Sequence, residues 1–300
     1  MSSAHSAHLG RVLCIITGAS RGFGRTVARE VSGLVKPGSV LVLAARSGDD
    51  LRSLQAELTE SEAGRAGLRV ESVVADMAQM EGIEKVVRSS EEAFSEHIDH
   101  LILVNNAGAV NFPFLRLVTQ MNLSSAAKVS LGLPFLGWSS PSLGDVSRSV
   151  KTFTDMAEVD SYLSLNVSSS MCLTARVLQS FPQRPGLRRT IVNVTSLCAL
   201  QPFRSWVLYC TGKAAREMMF RVLAEEEPDL RVLNYSPGPL DTAMQVEART
   251  RTADDSIRKS FVDMFDQGQL LTCEASCAKL MKLLLEDNYT SGAHIDVYDV

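Results

Sequence analysis

A doubly wound α/β domain, with a parallel sheet between two layers of helices, is the fold class that the sequence predicts. Two observations indicate it. Short runs rich in β-branched residues alternate with longer stretches of helical periodicity, and a glycine-rich turn follows the first run. Because parallel strands need crossover connections, this alternation favours a parallel sheet with helices on both faces.

The predicted strands and helices alternate along the whole chain of 300 residues. The runs expected to be buried strands are 12–17, 40–45, 69–75, 101–105, 190–195, 231–235 and 293–297. The clearest helical stretches are 26–35, 81–94, 159–181, 209–224 and 274–285. An apolar content of 45% can fill the core of one large domain. We therefore expect a single domain over residues 1–300.

The charge balance gives no electrostatic reason to bind nucleic acid or an anionic membrane, because the net charge is only -4. No apolar run approaches the length of a membrane span, and the first residues lack the pattern of a signal peptide. The six cysteines form no C-x-x-C pair, which indicates reduced thiols and no structural metal. We expect a cytoplasmic protein whose partners are small molecules or other proteins.

A glycine-rich turn, T-G-x-x-x-G-x-G over residues 17–24, lies between the first predicted strand and the next helix. Its candidate cofactor contacts are Gly18, Ser20, Arg21, Gly22, Phe23 and Gly24. The glycines let the backbone approach a pyrophosphate, whose charge the N-terminus of the helix then meets. A purely structural turn would also use glycine, but the position between a strand and a helix favours nucleotide binding.

The end of the second predicted strand selects between the two nicotinamide dinucleotides. An NAD enzyme usually places Asp or Glu there for the ribose 2′-hydroxyl, whereas this chain has Ala45, Arg46 and Ser47. Arginine suits a 2′-phosphate because its guanidinium donates forked, charge-assisted hydrogen bonds, and Arg21 adds a second cation. The sequence therefore predicts NADPH or NADP+ as cofactor. In the alternative, Arg46 is a solvated residue and a nearby aspartate binds the ribose.

Two further strand ends complete the predicted cofactor site. Asp76 follows the third strand, where its carboxylate could contact the adenine or cap the next helix. The tetrapeptide Asn105-Asn106-Ala107-Gly108 closes the fourth strand with small and amide side chains. These residues suit packing against the adenine ribose, but an ordinary turn would also use them.

Tyr209 and Lys213 are the candidate proton-donating pair. They lie four residues apart at the start of a predicted helix, so their side chains share one face. A nearby ammonium is expected to lower the pKa of the phenol from its usual value of about 10. A solvated helix face is the common alternative for such a pair. Ser196, at the carboxyl end of the fifth strand, and Asn166, on the preceding helix, favour a catalytic site instead.

The glycine turn, the Asn-Asn-Ala-Gly segment and an Asn, Ser, Tyr, Lys set in this order resemble the short-chain dehydrogenase/reductase family. The resemblance implies a Rossmann-like domain whose seven-stranded parallel sheet has the order 3-2-1-4-5-6-7. It also implies that Tyr209 donates a proton to a substrate carbonyl, while Ser196 hydrogen-bonds the same oxygen. Lys213 would hold the nicotinamide ribose and lower the tyrosine pKa, and Asn166 would position a water that links Lys213 to solvent.

The segment over residues 237–242 resembles the family's loop over the nicotinamide, although a plain proline-rich loop is the alternative. Its candidate cofactor contacts are Pro237, Gly238, Leu240 and Thr242. Longer stretches resemble one branch of the family, whose members reduce side-chain carbonyls of pterins with NADPH and work as homodimers. These stretches are 18–25, 196–203, 209–216, 232–242 and 291–296.

The resemblance to that branch also implies a substrate site. A carboxylate near the C-terminus binds the amino-pyrimidine edge of the pterin there, and the matching residue is Asp296. Such an edge can donate two parallel hydrogen bonds to a carboxylate. An exposed terminal aspartate is the alternative. Ser196, Leu200, Tyr209 and Cys210 are the other residues expected to contact the substrate.

One segment, residues 109–141, departs from the resemblance. It contains no Asp or Glu, and its removal would join Gly108 to a stretch that matches the family without interruption. Structureless segments longer than about 12 to 15 residues are uncommon inside compact domains. Three interpretations of this insertion stay open: a tolerated surface excursion, a lid over the pterin, or translated non-coding sequence. The absence of acidic residues and the sharp borders favour the third.

Other functions also stay open from the sequence. The chain could be a broad-specificity carbonyl or dicarbonyl reductase, or a non-enzymatic sensor that binds NADPH, since a fold does not determine a function. It could also be an inactive subunit whose pocket the insertion blocks, and which still dimerises through residues 159–181 and 209–224. Oxidation of NADPH on addition of a substrate distinguishes an enzyme from the last two.

Overall fold

A seven-stranded parallel sheet forms the centre of the computed structural model, which describes residues 8–107 and 143–300. The strand order is β3-β2-β1-β4-β5-β6-β7, so the predicted fold class and strand order are confirmed. The strands are β1 (Val12–Thr17), β2 (Val40–Ala45), β3 (Arg69–Val74), β4 (His100–Asn105), β5 (Arg188–Val194), β6 (Arg231–Ser236) and β7 (His294–Asp296). Gly108 and the insertion inferred at residues 109–141 lie outside the described residues.

Helices connect these strands. They are α1 (Gly22–Ser32), α2 (Gly48–Glu60), α3 (Glu62–Arg65), α4 (Met80–Ala93), α5 (Met156–Leu163), α6 (Ser169–Ser180), α7 (Val207–Glu226), α8 (Ala243–Arg251), α9 (Asp255–Asp266) and α10 (Cys273–Glu286). No helix within the described ranges has both the length and the apolar character that crossing a membrane requires.

Two apolar cores lie on opposite faces of the sheet, because successive side chains of a strand point to opposite faces. In β1, Cys14 and Ile16 pack in the core that α1, α2 and α10 cover. Leu13 and Ile15 pack in the other core, under α4, α6 and α7. All four side chains are fully buried, so both faces of β1 are covered. A strand that is covered on both faces needs apolar residues at consecutive positions, as β1 has.

Two sequence expectations differ from the structure. The edge strands β3 and β7 are only partly buried, because an edge strand has one neighbouring strand and less cover from helices. The single helix expected over residues 159–181 is interrupted. A π-helical turn, Ser164–Ser168, separates α5 from α6. Such turns often occur at functional sites, and this one contains Asn166.

The strand register brings the candidate site residues to one edge of the sheet. Asn105 of β4 pairs with Asn193 of β5, and Val194 of β5 pairs with Tyr235 of β6. Asp296, the last residue of β7, pairs with the last residue of β6. Because all seven strands are parallel, their carboxyl ends form one continuous edge, where ligands of open α/β sheets bind.

Candidate active site

The glycine turn after β1 contacts the end of β4 closely. Asn106 donates from Nδ2 to the carbonyl oxygens of Thr17, at 3.0 Å, and Gly18, at 3.3 Å. A Cβ atom at Gly24 would lie 2.4 Å from both Gly18 O and Asn106 Nδ2. Gly18 also has a φ of 68°, which disfavours other residues. The turn therefore needs glycine at both positions for the backbone to pack this closely.

The guanidinium of Arg46 has an unmet hydrogen-bonding group directly after β2. Its Nη1 atom is buried and has no hydrogen-bond partner among the residues that the structure describes. Burial lowers the pKa of Arg46, Arg21 lowers it further by charge repulsion, and Asp76 opposes the shift. A buried donor without a partner is rare, and two adjacent cations attract an anion. The local chemistry therefore suits a phosphate group better than a ribose hydroxyl.

The other residues predicted to contact the cofactor differ in how accessible they are to a ligand. Asp76 accepts a hydrogen bond from the backbone N–H of Ala78, at 3.1 Å, so it stabilises the turn before α4. The ring of Phe23 stacks with Tyr235 in the core, which leaves only its backbone for a ligand. Ala45 is likewise buried. The remaining positions are accessible or partly accessible, namely Ser20, Arg21, Gly22, Ser47, Asn106 and Ala107.

The segment that follows β6 packs against the end of β7. Gly238 has a φ of 76°, and a Cβ atom there would lie 2.7 Å from Val297 Cγ1. Leu240 forms a parallel β-bridge with Leu271. Pro237 and Thr242 are partly buried on either side, and Thr242 directly precedes α8. These contacts hold the segment at the carboxyl edge of the sheet.

Tyr209 and Ser196 are neighbours at this edge of the sheet. Tyr209 is the third residue of α7, and its side chain is buried. The nearby Ser196 hydroxyl lowers the pKa of the phenol, because it can donate a hydrogen bond to the phenolate oxygen. The ring of Trp206 contacts Tyr209 edge-on, with 5.4 Å between ring centroids. Packing against Trp206 therefore holds the tyrosine ring, and the Ser196 hydroxyl lies near its oxygen.

The net pKa of Tyr209 differs from the sequence expectation. Burial raises it well above its ordinary value, the neighbouring Cys198 raises it further, and the Ser196 hydroxyl offsets only part of this shift. Lys213 Nζ lies 5.6 Å from the centroid of the tyrosine ring. The phenol is therefore protonated at neutral pH, as a proton donor must be.

Lys213 lies one turn after Tyr209, on the same face of α7. Its Nζ atom donates to the carbonyl oxygen of Val194, the last residue of β5, at 2.7 Å. Burial lowers the pKa of Lys213 to about 7, and the charge of Arg216 contributes to the same shift. An amine with this pKa changes its protonation state near neutral pH.

Asn166 is buried in the π-helical turn between α5 and α6. Its Nδ2 atom donates to the carbonyl oxygen of Tyr162 at 2.9 Å, so this amide group bonds back along its own helix. The backbone carbonyl of Asn166 faces α7 and accepts a hydrogen bond from Arg216. The predicted water between Asn166 and Lys213 stays a prediction.

The residues expected to contact a substrate lie at different depths. Asp296 is partly buried; its Oδ2 accepts from Ser236 Oγ at 2.6 Å, and its Oδ1 accepts from the backbone N–H of Tyr298. Each carboxylate oxygen can accept a further hydrogen bond. Leu200 is exposed, whereas Cys210 is partly buried. The neighbouring Cys198 thiol lowers the pKa of Cys210 below its ordinary value.

Two residues at the site escaped the sequence reasoning. Trp206 contacts Tyr209 and donates from Nε1 to Thr252 Oγ1 at 3.0 Å. Arg216 is buried beside Lys213. The spacing of Tyr209, Lys213 and Arg216, four and then three residues, was a usable signal because such positions share one helix face. No comparable pattern pointed to Trp206.

A metal site would need several His, Cys, Asp or Glu side chains close together. Within residues 8–107 and 143–300, no group of three or more His, Cys, Asp or Glu side chains has a suitable arrangement. All six cysteines lie in these ranges and are free thiols.

Comparison with known proteins gives one family and a set of similar chains. A family model described as short chain dehydrogenase matches residues 13–135 and 145–253. Sepiapterin reductase from Bos taurus is 45% identical over 292 residues, which cover 97% of this chain and 96% of that protein. Sepiapterin reductase from Xenopus laevis is 44% identical over 299 residues, covering 100% of both chains.

Solved structures of lower identity resemble the fold. A short chain dehydrogenase/reductase from Saccharomyces cerevisiae superposes with a TM-score of 0.72 at 22% identity, over 97% of both chains. An L-sorbose reductase from Gluconobacter frateurii superposes with a TM-score of 0.64 at 24% identity, over 97% of this chain and 96% of the other. At such identities the likeness supports the shared fold.

Proposed function

This chain belongs to the short chain dehydrogenase family, and from that premise we propose that it reduces the side-chain carbonyl of a pterin with NADPH. The observation that carries the proposal is the Ser196 hydroxyl beside Tyr209, with Lys213 on the same helix face, at the carboxyl edge of the sheet. The high identity to sepiapterin reductases over nearly the full chain supports sepiapterin as substrate.

The described residues fit a phosphorylated dinucleotide. The turn at Gly18 and Gly24 has no room for a Cβ atom and leaves backbone amides at the start of α1, which suits a pyrophosphate. Within residues 8–107 and 143–300 the buried Nη1 of Arg46 lacks a hydrogen-bond partner, which a 2′-phosphate would provide. When bound, NADPH supplies the hydride that reduces the carbonyl carbon.

Proton transfer is the task of the chain itself. Tyr209 enters the reaction protonated, because burial holds its pKa high. As the substrate carbonyl oxygen gains negative charge, Tyr209 donates its proton to that oxygen, and the Ser196 hydroxyl stabilises the resulting charges. Lys213, held by Val194, provides a cation beside the tyrosine ring that stabilises the phenolate left behind.

Asp296 would orient the pterin from the opposite side of the site. Its strand, β7, lies two strands from β5, which Ser196 follows, so the two residues are separated by roughly two strand spacings, about 10 Å. A pterin ring with its side chain can extend over such a distance. The carboxylate would then accept hydrogen bonds from the amino-pyrimidine edge while the side-chain carbonyl reaches Tyr209.

The proposal includes a homodimer in the cytoplasm. Exposed apolar side chains on α6 and α7, namely Met171, Met218 and Val222, suit burial against a second copy of the chain. Six free thiols suit a reducing compartment.

Oxidation of NADPH on addition of sepiapterin, followed by absorbance, tests the proposed function. The wild type should oxidise NADPH, and Tyr209→Phe should lower kcat by about 10²- to 10⁴-fold, which is the usual contribution of a general acid. NADPH binding, measured by fluorescence, should change little. Tyr289→Phe is the matched control, because Tyr289 packs on Arg231 at the opposite end of β6. Full activity in Tyr209→Phe would show that another group donates the proton.

A further inference from the structure

Arg216 is a buried cation that contacts four neutral oxygen atoms. Its side chain is only 3% exposed. The Nη2 atom donates to Asn105 O at 2.6 Å, and Nε donates to Asn193 Oδ1 at 2.9 Å. The Nη1 atom lies 3.4 Å from both Ala107 O and Asn166 O. Each of these four acceptors is an amide oxygen, and none of the four is a carboxylate.

The four acceptors belong to different parts of the site. Asn105 ends β4 and Ala107 follows it, and both lie beside the glycine turn, where the cofactor is expected. Asn193 lies on β5, which leads to Ser196, and Asn166 lies in the π-helical turn. Arg216 itself follows Lys213 by three residues on α7. A single planar side chain therefore connects α7 to three other elements around the site.

Stability alone gives a poor account of this residue. A buried charge is unfavourable unless it is well paired, and replacing buried ionic groups by apolar ones of similar volume is often neutral or stabilising. Here the guanidinium donates to backbone carbonyls at the end of β4, just after it, and in the π-helical turn of Asn166, so it joins segments that different elements contribute. A forked donor is suited to holding such carbonyls at defined positions.

We propose that Arg216 is a positioning residue, which holds the end of β4 and the Asn166 turn against α7 in the geometry that cofactor binding and proton transfer require. Only the effect of Arg216 on proton transfer rests on the proposed function. The consequence for cofactor binding follows from the contacts to Asn105 and Ala107, whatever the second substrate is.

The charge of Arg216 has a separate, measurable effect on Lys213. The ionisable groups around Lys213 are Tyr209, Arg216 and Glu217 on α7 and Cys198 after β5. Arg216 lowers the pKa of Lys213, whereas Glu217 raises it. Loss of the positive charge at position 216 should therefore raise the pKa of Lys213. If activity needs the ammonium form, the alkaline limb of the pH profile moves to higher pH.

Two substitutions separate the geometry of Arg216 from its charge. Arg216→Met removes both, so kcat for sepiapterin should fall by about 10- to 100-fold, NADPH should bind more weakly, and the alkaline limb should move up. Arg216→Lys retains the charge but cannot reach four separate acceptors, so the pH profile should stay near that of the wild type while kcat and NADPH affinity remain reduced. Arg221→Met, at an exposed position of α7, is the control.

The measurements are NADPH affinity by fluorescence, the pH profile of kcat, and the unfolding temperature. If Arg216→Lys keeps wild-type kcat and NADPH affinity and loses only thermal stability, Arg216 is a structural residue and the proposal is overturned; this variant also serves if Arg216→Met does not fold. If the wild type binds NADPH without reducing sepiapterin, the proposed function fails. Weaker NADPH binding by the Arg216 variants would then still support the positioning role.

Discussion

Replacement of Arg46 by glutamine is the sharpest test of cofactor choice. The Nη1 atom of Arg46 is buried without a partner in the part of the chain that the structure describes, which makes it available to the 2′-phosphate that distinguishes NADPH from NADH. Hydrogen bonds to charged groups contribute about 1.5–3 kcal/mol, and each 1.4 kcal/mol corresponds to about tenfold in affinity. We therefore expect Arg46→Gln to weaken NADPH binding by roughly 10- to 100-fold and to leave NADH binding nearly unchanged.

The same substitution should not destabilise the protein without cofactor. A buried donor without a partner costs about 1–3 kcal/mol, so its removal should leave the unfolding temperature of the apo-protein equal or higher. Fluorescence titrations with NADPH and NADH, together with thermal unfolding, measure both effects. Arg52→Gln is the matched control, because Arg52 is an exposed arginine on α2 that pairs with Asp49. Equal losses of affinity for both dinucleotides, or no loss for NADPH, would refute the role of Arg46.

Two further substitutions test the substrate site and the buried first residue of β4. Asp296→Asn should raise the KM for sepiapterin by about tenfold or more, with little change in NADPH affinity, because it loses a charge-assisted acceptor; an unchanged KM in steady-state assays would contradict the pterin contact. Burial and the charge of Arg188 lower the pKa of His100 from 6.5 to about 4. The unfolded chain therefore binds more protons than the folded protein between these pH values. The free energy of unfolding is highest above the unfolded pKa and falls as the pH drops toward the folded pKa. The total loss is about 3 kcal/mol. Urea unfolding across this range should show that the free energy of unfolding depends less steeply on pH in His100→Asn than in the wild type. The same dependence in both proteins would exclude His100 as the cause.

Local patterns carried most of the fold information. The alternation of apolar runs with helical periodicity predicted the parallel sheet and the strand positions, which are confirmed to within one or two residues. The expected helix over residues 159–181 was wrong in one respect, because the π-helical turn at Ser164–Ser168 interrupts it. Helical periodicity tolerates one extra residue in a turn, so the sequence shows the helix but not the interruption.

The sequence by itself determined the turn at Gly18, and the shared helix face of Tyr209 and Lys213, because both depend on residues a few positions apart. Only the tertiary structure decided the properties that depend on burial. The pKa of Tyr209 is raised by its surroundings, against the expectation from its lysine neighbour alone. Arg216 reaches Asn105 across 111 residues of sequence. Such contacts arise from the packing of strands and helices, and desolvation there outweighs the local spacing of charges.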